Sequence, residues 1–307
     1  MIEHFFVVFE QVIILFLLII IGFIVFKKNL ISEAGIPAIN NFILFIVTPC
    51  VIMQAFYREY DAQMLSSLAV TFVCAICIHI GSIVLSHLLI HDTDISKERV
   101  FRFSAVFPNC GYMGLPLQLA ILGNEGVFFG ATYIAVFNIF SWTYGVALMG
   151  GRREISIKKV LINPGIIGVV LGLILFFTQI KLPAIFASVF SHLSALNTPL
   201  PMVIIGFYLA GITSFAVLKN WRLVLTLCLK LIIFPLLAIF SLYFMGIRGT
   251  MLVSIAISAC APTAANTVMF ATRFGTDTTL ASSIVSLSSL FSILTMPINI
   301  TLAMSLA

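Results

Sequence analysis

Charged residues are scarce in this sequence, and their scarcity excludes most soluble proteins. Of the 307 residues only 9% are Asp, Glu, Lys or Arg, whereas a typical soluble domain carries about 25%. The chain is 61% hydrophobic and has a mean hydropathy of +1.19. So few charges cannot cover a water-exposed surface, which rules out a soluble enzyme. At roughly 20 apolar residues per span, the length predicts about ten transmembrane helices and no extramembrane domain.

Acidic side chains are missing from the middle of every apolar run, and this absence argues against several chemistries. Carboxylate proton relays and typical sodium sites need such residues. The sequence also lacks GxSxG and HExxH motifs, and no carboxylate is placed to orient a buried histidine, so an intramembrane hydrolase is not supported. We therefore expect no enzyme activity, no cofactor and no metal site.

The six cysteines predict neither disulfides nor a metal centre, because all of them fall inside apolar runs. Cys74 and Cys77 form a CxxC pair one helical turn apart, but no second pair accompanies them. Small apolar packing residues are the simpler interpretation. The positive residues are scattered among loops, so the net charge of +5 does not indicate a nucleic-acid partner. The partner that the composition predicts is the lipid bilayer.

Ten apolar runs predict ten transmembrane helices, at residues 5–26, 36–56, 65–89, 101–122, 127–149, 162–179, 185–212, 221–245, 251–271 and 280–302. The loops between them divide the positive residues unequally. One side receives Lys27, Lys28, Lys97, Arg99, Arg102, Arg152, Arg153, Lys158, Lys159, Lys219, Arg222 and Arg273, and the other only Arg58, Lys181 and Arg248. The positive-inside rule therefore predicts a cell-membrane protein with both termini outside the cytoplasm.

Proline motifs recur at an offset of about 150 residues, which indicates an internal repeat. The matching pairs are residues 36–39 with 182–185, Thr48-Pro49 with Thr198-Pro199, Pro108 with Pro262, and Gly123 with Gly275. Five spans per repeat is an odd number, so the second copy enters the membrane from the opposite side. We predict two inverted five-helix repeats, residues 1–149 and 161–307, joined by a short cytoplasmic linker at 150–160. Inverted repeats are typical of secondary transporters, which bind substrate where interrupted helices meet.

Two stretches rich in Pro, Gly and Asn interrupt the fourth and ninth predicted helices. They contain Pro108, Asn109, Gly111, Tyr112, Gly114 and Pro116 in the first, and Pro262, Thr263 and Asn266 in the second. Proline removes a backbone N–H, and irregular backbone is tolerated in a membrane only where protein or a water-filled cavity covers it. If the two breaks cross, Asn109 and Asn266 meet near the midplane beside helix ends that favour an anion. Alternatively, either Asn only ties up loose backbone.

Lys230 is the one basic residue deep within a predicted span. It lies about nine residues from Trp221, roughly 13 Å along a helix. Because intramembrane ions usually mark transport pathways, we expect Lys230 to attract a carboxylate, with a structural ion near a helix end as the alternative. His79 is a further candidate that titrates near neutral pH, or else a hydrogen-bonded helix contact.

The run PNCGYMGLPLQLAILGNEG at residues 108–126 resembles the fourth-helix motif of the auxin efflux carrier family of membrane transporters. Asn138 and Trp142 fit the same pattern, as do Asn163-Pro164-Gly165 and the run APTAANTVMFATRFGTD at 261–277. The family includes plant auxin exporters and bacterial permeases for malate and malonate. The long cytoplasmic loop of the plant exporters is absent here, which favours the bacterial branch.

The resemblance implies an all-α membrane fold related to that of the bile acid sodium symporters, with broken helices 4 and 9 crossing at prolines. It implies a scaffold of helices 1, 2, 6 and 7, a mobile transport unit of helices 3–5 and 8–10, and a homodimer. We therefore expect a carrier that moves a small organic anion, a mono- or dicarboxylate, by elevator-like alternating access. The expected substrate-binding residues are Asn109, Tyr112, Thr263, Asn266 and Lys230, with His79 and Asn138 as accessory residues.

Three other classes of function are alternatives to a carrier. A sodium-coupled symporter is one, but the related symporters have an acidic residue where this chain has Cys260-Ala261-Pro262-Thr263. An anion channel is another, and the two broken helices favour alternating access over it. A receptor would normally need an appended signalling domain, for which the short termini leave no room.

Overall fold

The computed structural model describes residues 2–211 and 218–307, and the regular elements within these ranges are helical. The α-helices are α1 (Ile2–Lys27), α2 (Ile36–Phe42), α3 (Thr48–Phe56), α4 (Ala62–Leu89), α5 (Ile95–Val106), α6 (Leu115–Phe140), α7 (Val146–Gly150), α8 (Ile157–Leu161), α9 (Pro164–Thr178), α10 (Ala184–Ala195), α11 (Pro199–Ala210), α12 (Trp221–Cys228), α13 (Phe234–Phe244), α14 (Gly249–Cys260), α15 (Asn266–Phe274) and α16 (Thr278–Leu306). Turns of π-helix at Ile43–Val47, Cys110–Gly114, Ser141–Gly145 and Leu229–Ile233 join several of them.

Seven helical stretches of the described chain are long and apolar enough to cross a membrane. They are Phe5–Lys27, Glu33–Phe56, Ala62–Leu89, Cys110–Gly150, Ala184–Ala210, Trp221–Phe244 and Thr278–Leu306. Two shorter apolar helices accompany them, Pro164–Thr178 and Gly249–Cys260. The prediction of an all-helical, multi-pass membrane protein is therefore confirmed.

Two of these stretches are interrupted, one at a glycine and the other at a proline. Cys110–Gly150 has 41 residues, about 60 Å of straight helix, which is twice the thickness of a hydrocarbon core. It bends at Gly123, whose φ of 65° and ψ of −157° are not helical. In the other stretch α10 ends at Ala195 and α11 begins at Pro199, the position at which Pro199 and Pro201 predict a break. The predicted end of this span, Ile212, lies outside the described residues.

Short polar side chains set where many of the helices begin. The side-chain oxygen of the residue before the helix accepts a first-turn backbone N–H at Asp61, Asp94, Asn163, Asn220 and Asp277. Such caps satisfy N–H groups that have no partner inside the helix.

Glycine allows the closest helix contacts in the bundle. α1 packs along α11 and α3 along α9. A Cβ on Gly22 would collide with the Val203 backbone, and one on Gly206 with the Ile19 carbonyl. Small residues at such contacts let helix backbones approach closely, the usual basis of helix association in lipid. A separate contact joins α6 to α14, where Gln118 Nε2 donates to the Ser254 carbonyl at 2.9 Å and to Ser258 Oγ at 2.8 Å.

Candidate functional site

The two helix breaks meet and pair as a short antiparallel bridge. α5 ends at Val106 and α14 at Cys260, and the extended residues that follow lie side by side, with Pro108 opposite Thr263. The Asn109 N–H donates to the Pro262 carbonyl at 2.7 Å, and the Ala264 N–H donates to the Phe107 carbonyl at 3.0 Å. Because the prolines have no N–H, their neighbours make the bonds that hold the crossing together.

The Thr263 hydroxyl has a structural partner rather than a place in a cavity. It donates to the Ser104 carbonyl at 3.0 Å, and Thr263 is fully buried. Ser104 lies four residues before Pro108, so its carbonyl has no helical donor. The Thr263 N–H in turn donates to Ser288 Oγ at 3.1 Å. The structure therefore places Thr263 among the ties of the crossing, and a contact of its hydroxyl with a substrate stays a prediction.

The break that follows α5 is shorter than its content of Pro, Gly and Asn predicts. Only residues 107–109 lie outside helical structure, and Gly111 and Gly114 lie in the π-helical turn Cys110–Gly114. Pro116 is the second residue of α6, which continues directly from this turn, so its missing N–H leaves a carbonyl of the turn without a helical donor. Asn109 caps this turn, since its Oδ1 accepts the Tyr112 N–H at 3.3 Å.

A cavity of about 60 Å³ lies against the crossing, and we call it the inner cavity. Its lining comes from both breaks and from α6, α9 and the helical stretch Glu33–Phe56: Leu44, Thr48, Pro108, Asn109, Gly111, Tyr112, Ile134, Phe137, Asn138, Gly165, Ala264, Ala265 and Asn266. None of these lining residues is charged. Four of the expected residues, Asn109, Tyr112, Asn138 and Asn266, are thus brought together around one space.

Asn109 presents an unused donor at this cavity. The side chain is only 5% exposed, and its Nδ2 has no hydrogen-bond partner in the described part of the chain. Asn266 is the first residue of α15, and Gly111 belongs to the first turn that Asn109 caps. First-turn N–H groups have no partner inside a helix and form the positive end of its dipole. The inner cavity therefore combines amide donors with two helix N-termini, an arrangement that suits an anion.

A larger cavity, which we call the vestibule, adjoins the inner cavity. The vestibule has a volume of about 670 Å³, and the two cavities share Leu44, Tyr112, Ala265 and Asn266 in their linings. The Tyr112 hydroxyl donates to Asn40 Oδ1 at 3.2 Å. This bond links the broken helix to α2, and the exposed residues Glu33 and Arg273 line the vestibule farther out.

Lys230 and His79 lie apart from the inner cavity. Lys230 is 2% exposed in the π-helical turn Leu229–Ile233, and it is absent from the lining of the inner cavity and of the vestibule. His79 is 1% exposed; its Nδ1–H donates to the Ala75 carbonyl at 2.8 Å, and its ring stacks on Phe140. The predicted attraction of Lys230 for a carboxylate would therefore act over a distance rather than by direct contact in this arrangement, and it stays a prediction.

Three residues that line the cavities are not among the predicted site residues: Asn40, Thr48 and Gly165. A signal for Asn40 was present, since Asn40-Asn41 is a pair of amides in an apolar span. Gly165 has a steric role, because a Cβ there would come within 2.5 Å of Asn138 Nδ2. The sequence distinguishes Thr48 only as the residue before Pro49, a helix-breaking proline.

Taken together, the apolar helices and the broken crossing with its uncharged cavity are those of a polytopic membrane transport protein. A family model described as membrane transport protein matches residues 7–158 and 153–300. The chain therefore belongs to this family, the auxin efflux carriers, as its motifs predicted. It is similar to an uncharacterized transporter of Methanothermobacter thermautotrophicus, with 24% identity over 94% of this chain and 96% of the relative. A second uncharacterized transporter, from Methanocaldococcus jannaschii, is 24% identical over 93% and 95% of the two chains.

Proposed function

We propose that this protein is a secondary carrier that moves a small organic anion, a mono- or dicarboxylate, across the cell membrane. The observation that carries the proposal is the Asn109 Nδ2, which has no partner among the described residues, in a side chain that lines the inner cavity beside two helix N-termini. A carboxylate accepts hydrogen bonds from such donors, and charge-assisted bonds are about twice as strong as neutral ones. Asn266 supplies the second amide, and Asn138 an accessory polar contact.

The uncharged lining favours release as well as binding. A fixed Lys or Arg in the cavity would hold a carboxylate by a strong ion pair, whereas dipoles hold it more weakly. Lys230, buried away from the cavity, contributes only long-range attraction in this scheme. A carrier needs a site that the substrate leaves readily on each side, so a neutral site is suited to its task.

Movement follows an elevator-like alternating access in this proposal. Ten spans arise if the bend at Gly123 divides Cys110–Gly150 and if α9 and α14–α15 each count as a span. The close pairs α1–α11 and α3–α9 then form the scaffold, and the crossing belongs to the transport unit. The inner cavity lies between them, with Thr48 and Gly165 on the scaffold side. Two copies associate through their scaffolds.

The vestibule is the cytoplasmic approach to the site in this proposal. Arg273 lies on the side to which the charge distribution assigns the cytoplasm, and it lines the vestibule. The described structure then corresponds to an inward-facing state, in which Tyr112 separates the bound anion from the cytoplasmic water.

Uptake into proteoliposomes tests the proposal. Purified protein should take up labelled malate or a monocarboxylate in a saturable manner, and unlabelled substrate on the other side should accelerate the exchange. Counterflow of this kind distinguishes a carrier from an anion channel, which gives flux without exchange. Uptake that requires a sodium gradient would instead support a symporter of the bile acid type. If none of the carboxylates is taken up, the proposed substrate class is wrong.

A further inference from the structure

A second polar cavity lies at the break between α10 and α11, away from the crossing. Its volume is about 20 Å³, room for a single water-sized species. Five neutral oxygen-bearing side chains line it: Gln54, Asn124, Ser194, Asn197 and Thr198. No Lys, Arg, Asp or Glu is part of this lining. The cavity therefore offers several oxygen ligands without a competing positive charge.

Two of these side chains carry buried oxygen atoms without a partner. Ser194 is 8% exposed and Asn197 is 4% exposed, and neither Ser194 Oγ nor Asn197 Oδ1 makes a hydrogen bond within the described residues. Many helical serines of this chain donate to a carbonyl three or four residues back, as Ser67 and Ser289 do. Ser194 does not use this local solution, which leaves its hydroxyl free for a ligand.

The backbone around the cavity adds to its negative character. α10 ends at Ala195, and the carbonyl end of a helix carries the negative half of its dipole. Pro199 and Pro201 cannot donate to the carbonyls of Ala195 and Asn197, four residues earlier. In transporters, the C-terminal ends of half-helices and unwound carbonyls are where sodium ions bind.

We propose that this cavity binds one sodium ion. The absence of a lining carboxylate favours a monovalent over a divalent cation, since a divalent ion needs anionic ligands to offset its loss of water. The site joins α3 and α6 to the break between α10 and α11, so the bound ion stabilises the contact among these elements. It lies apart from the inner cavity and needs no organic anion.

Thermal unfolding of the purified protein in detergent tests the site directly. At constant ionic strength, the melting temperature should rise with NaCl replacing choline chloride and should saturate, whereas KCl should have a smaller effect. Ser194→Ala and Asn197→Ala each remove one ligand, so the half-saturating sodium concentration should increase by about tenfold or more. Ser191→Ala, one turn earlier on the exposed face of α10, is the matched control and should respond to sodium as the parent does.

A water molecule in the cavity would give a different pattern. The proposal is overturned if sodium and choline give equal melting temperatures, or if Ser191→Ala loses the sodium response as Ser194→Ala does. In choline, Ser194→Ala should melt no lower than the parent, because it deletes a buried hydroxyl that has no partner. Should Asn197→Ala fail to fold, Ser194→Ala decides alone. The assay does not measure transport, so its result is independent of the carrier proposal.

Discussion

The two ends of the Asn109 side-chain amide have different surroundings. Its oxygen accepts the Tyr112 N–H and so caps the turn Cys110–Gly114, while its buried nitrogen has no partner among the described residues. The two roles that the sequence allows for Asn109, a helix tie and a ligand contact, therefore do not exclude each other, because each uses a different end of the amide. An unmade buried hydrogen bond costs about 1–3 kcal/mol, which a bound carboxylate would recover.

Replacing Asn109 by Asp should reduce affinity for the anion more than replacing it by Ala. The aspartate places a negative charge where the carboxylate binds, and at an effective dielectric of about 20 two charges roughly 4 Å apart repel by about 4 kcal/mol. Even half of that is more than a tenfold loss, whereas Asn109→Ala should lose about 1–3 kcal/mol. Half-saturation of uptake in proteoliposomes measures both effects.

Asn41→Asp is the control for this comparison, because Asn41 lines the vestibule but not the inner cavity. It adds the same charge and should change affinity far less. Transport by Asn109→Asp with the affinity of the parent would show that Asn109 serves only as a helix cap.

The Tyr112 hydroxyl and Asn40 should act as one unit. Tyr112→Phe and Asn40→Ala each remove the same hydrogen bond, so each should change the maximal transport rate by roughly two- to tenfold, the worth of one neutral bond. The double variant should show no further change, since partners in one interaction are not additive. A direct hydroxyl contact with the substrate would instead raise the half-saturating concentration in Tyr112→Phe alone.

At the scale of elements, proline and glycine positions predicted much of the architecture. The breaks at Pro108, Pro262 and Pro199 were visible because proline cannot continue a helix hydrogen-bond ladder. What the pattern did not predict is how each freed carbonyl is satisfied. Pro235 leaves the Leu231 carbonyl without a donor, and Asn299, 68 residues away, supplies one at 2.8 Å. Such pairings depend on packing between distant helices, so a single sequence does not encode them locally.

The same limitation applies to the positions of the Thr263 and Lys230 side chains relative to the inner cavity. Both are polar residues near the predicted crossing, and residue type alone did not distinguish the ones that face the cavity from those that tie the helices. The side on which each residue lies is set by the rotation of its helix. Asn109 and Asn266 stand at the breaks themselves and line the inner cavity, while their contact with a substrate stays a prediction.

Thr263→Val should therefore destabilise the crossing without a comparable loss of affinity. The valine keeps the shape but leaves the Ser104 carbonyl unsatisfied, at an expected cost of about 1–3 kcal/mol in the free energy of unfolding. Thr263→Ser keeps the hydroxyl and should retain most of the stability. Thermal unfolding and uptake should be measured on both variants. If the valine variant has normal stability but weaker substrate affinity, the Thr263 hydroxyl contacts the substrate, as the sequence predicts.

At the scale of the molecule, the broken crossing and the uneven charge distribution determine different properties of the protein. The crossing determines where backbone dipoles are available inside the membrane, and it does so whichever way the protein inserts. The charges on the loops determine which side each cavity faces. The proposed direction of the vestibule thus depends on topology alone, and a topological experiment tests it without any substrate.

Cysteine labelling should place the loop around residue 155 in the cytoplasm. Twelve positive loop residues on one side against three on the other favour this orientation. In intact cells, Ile155→Cys should resist a membrane-impermeant maleimide and should react once the membrane is opened. Glu59→Cys, in the exposed loop between α3 and α4, is the matched position on the opposite side and should react without permeabilisation. The native cysteines, labelled in the parent under both conditions, supply the background. Labelling of Ile155→Cys from outside would reverse the orientation, and the vestibule would then face the exterior.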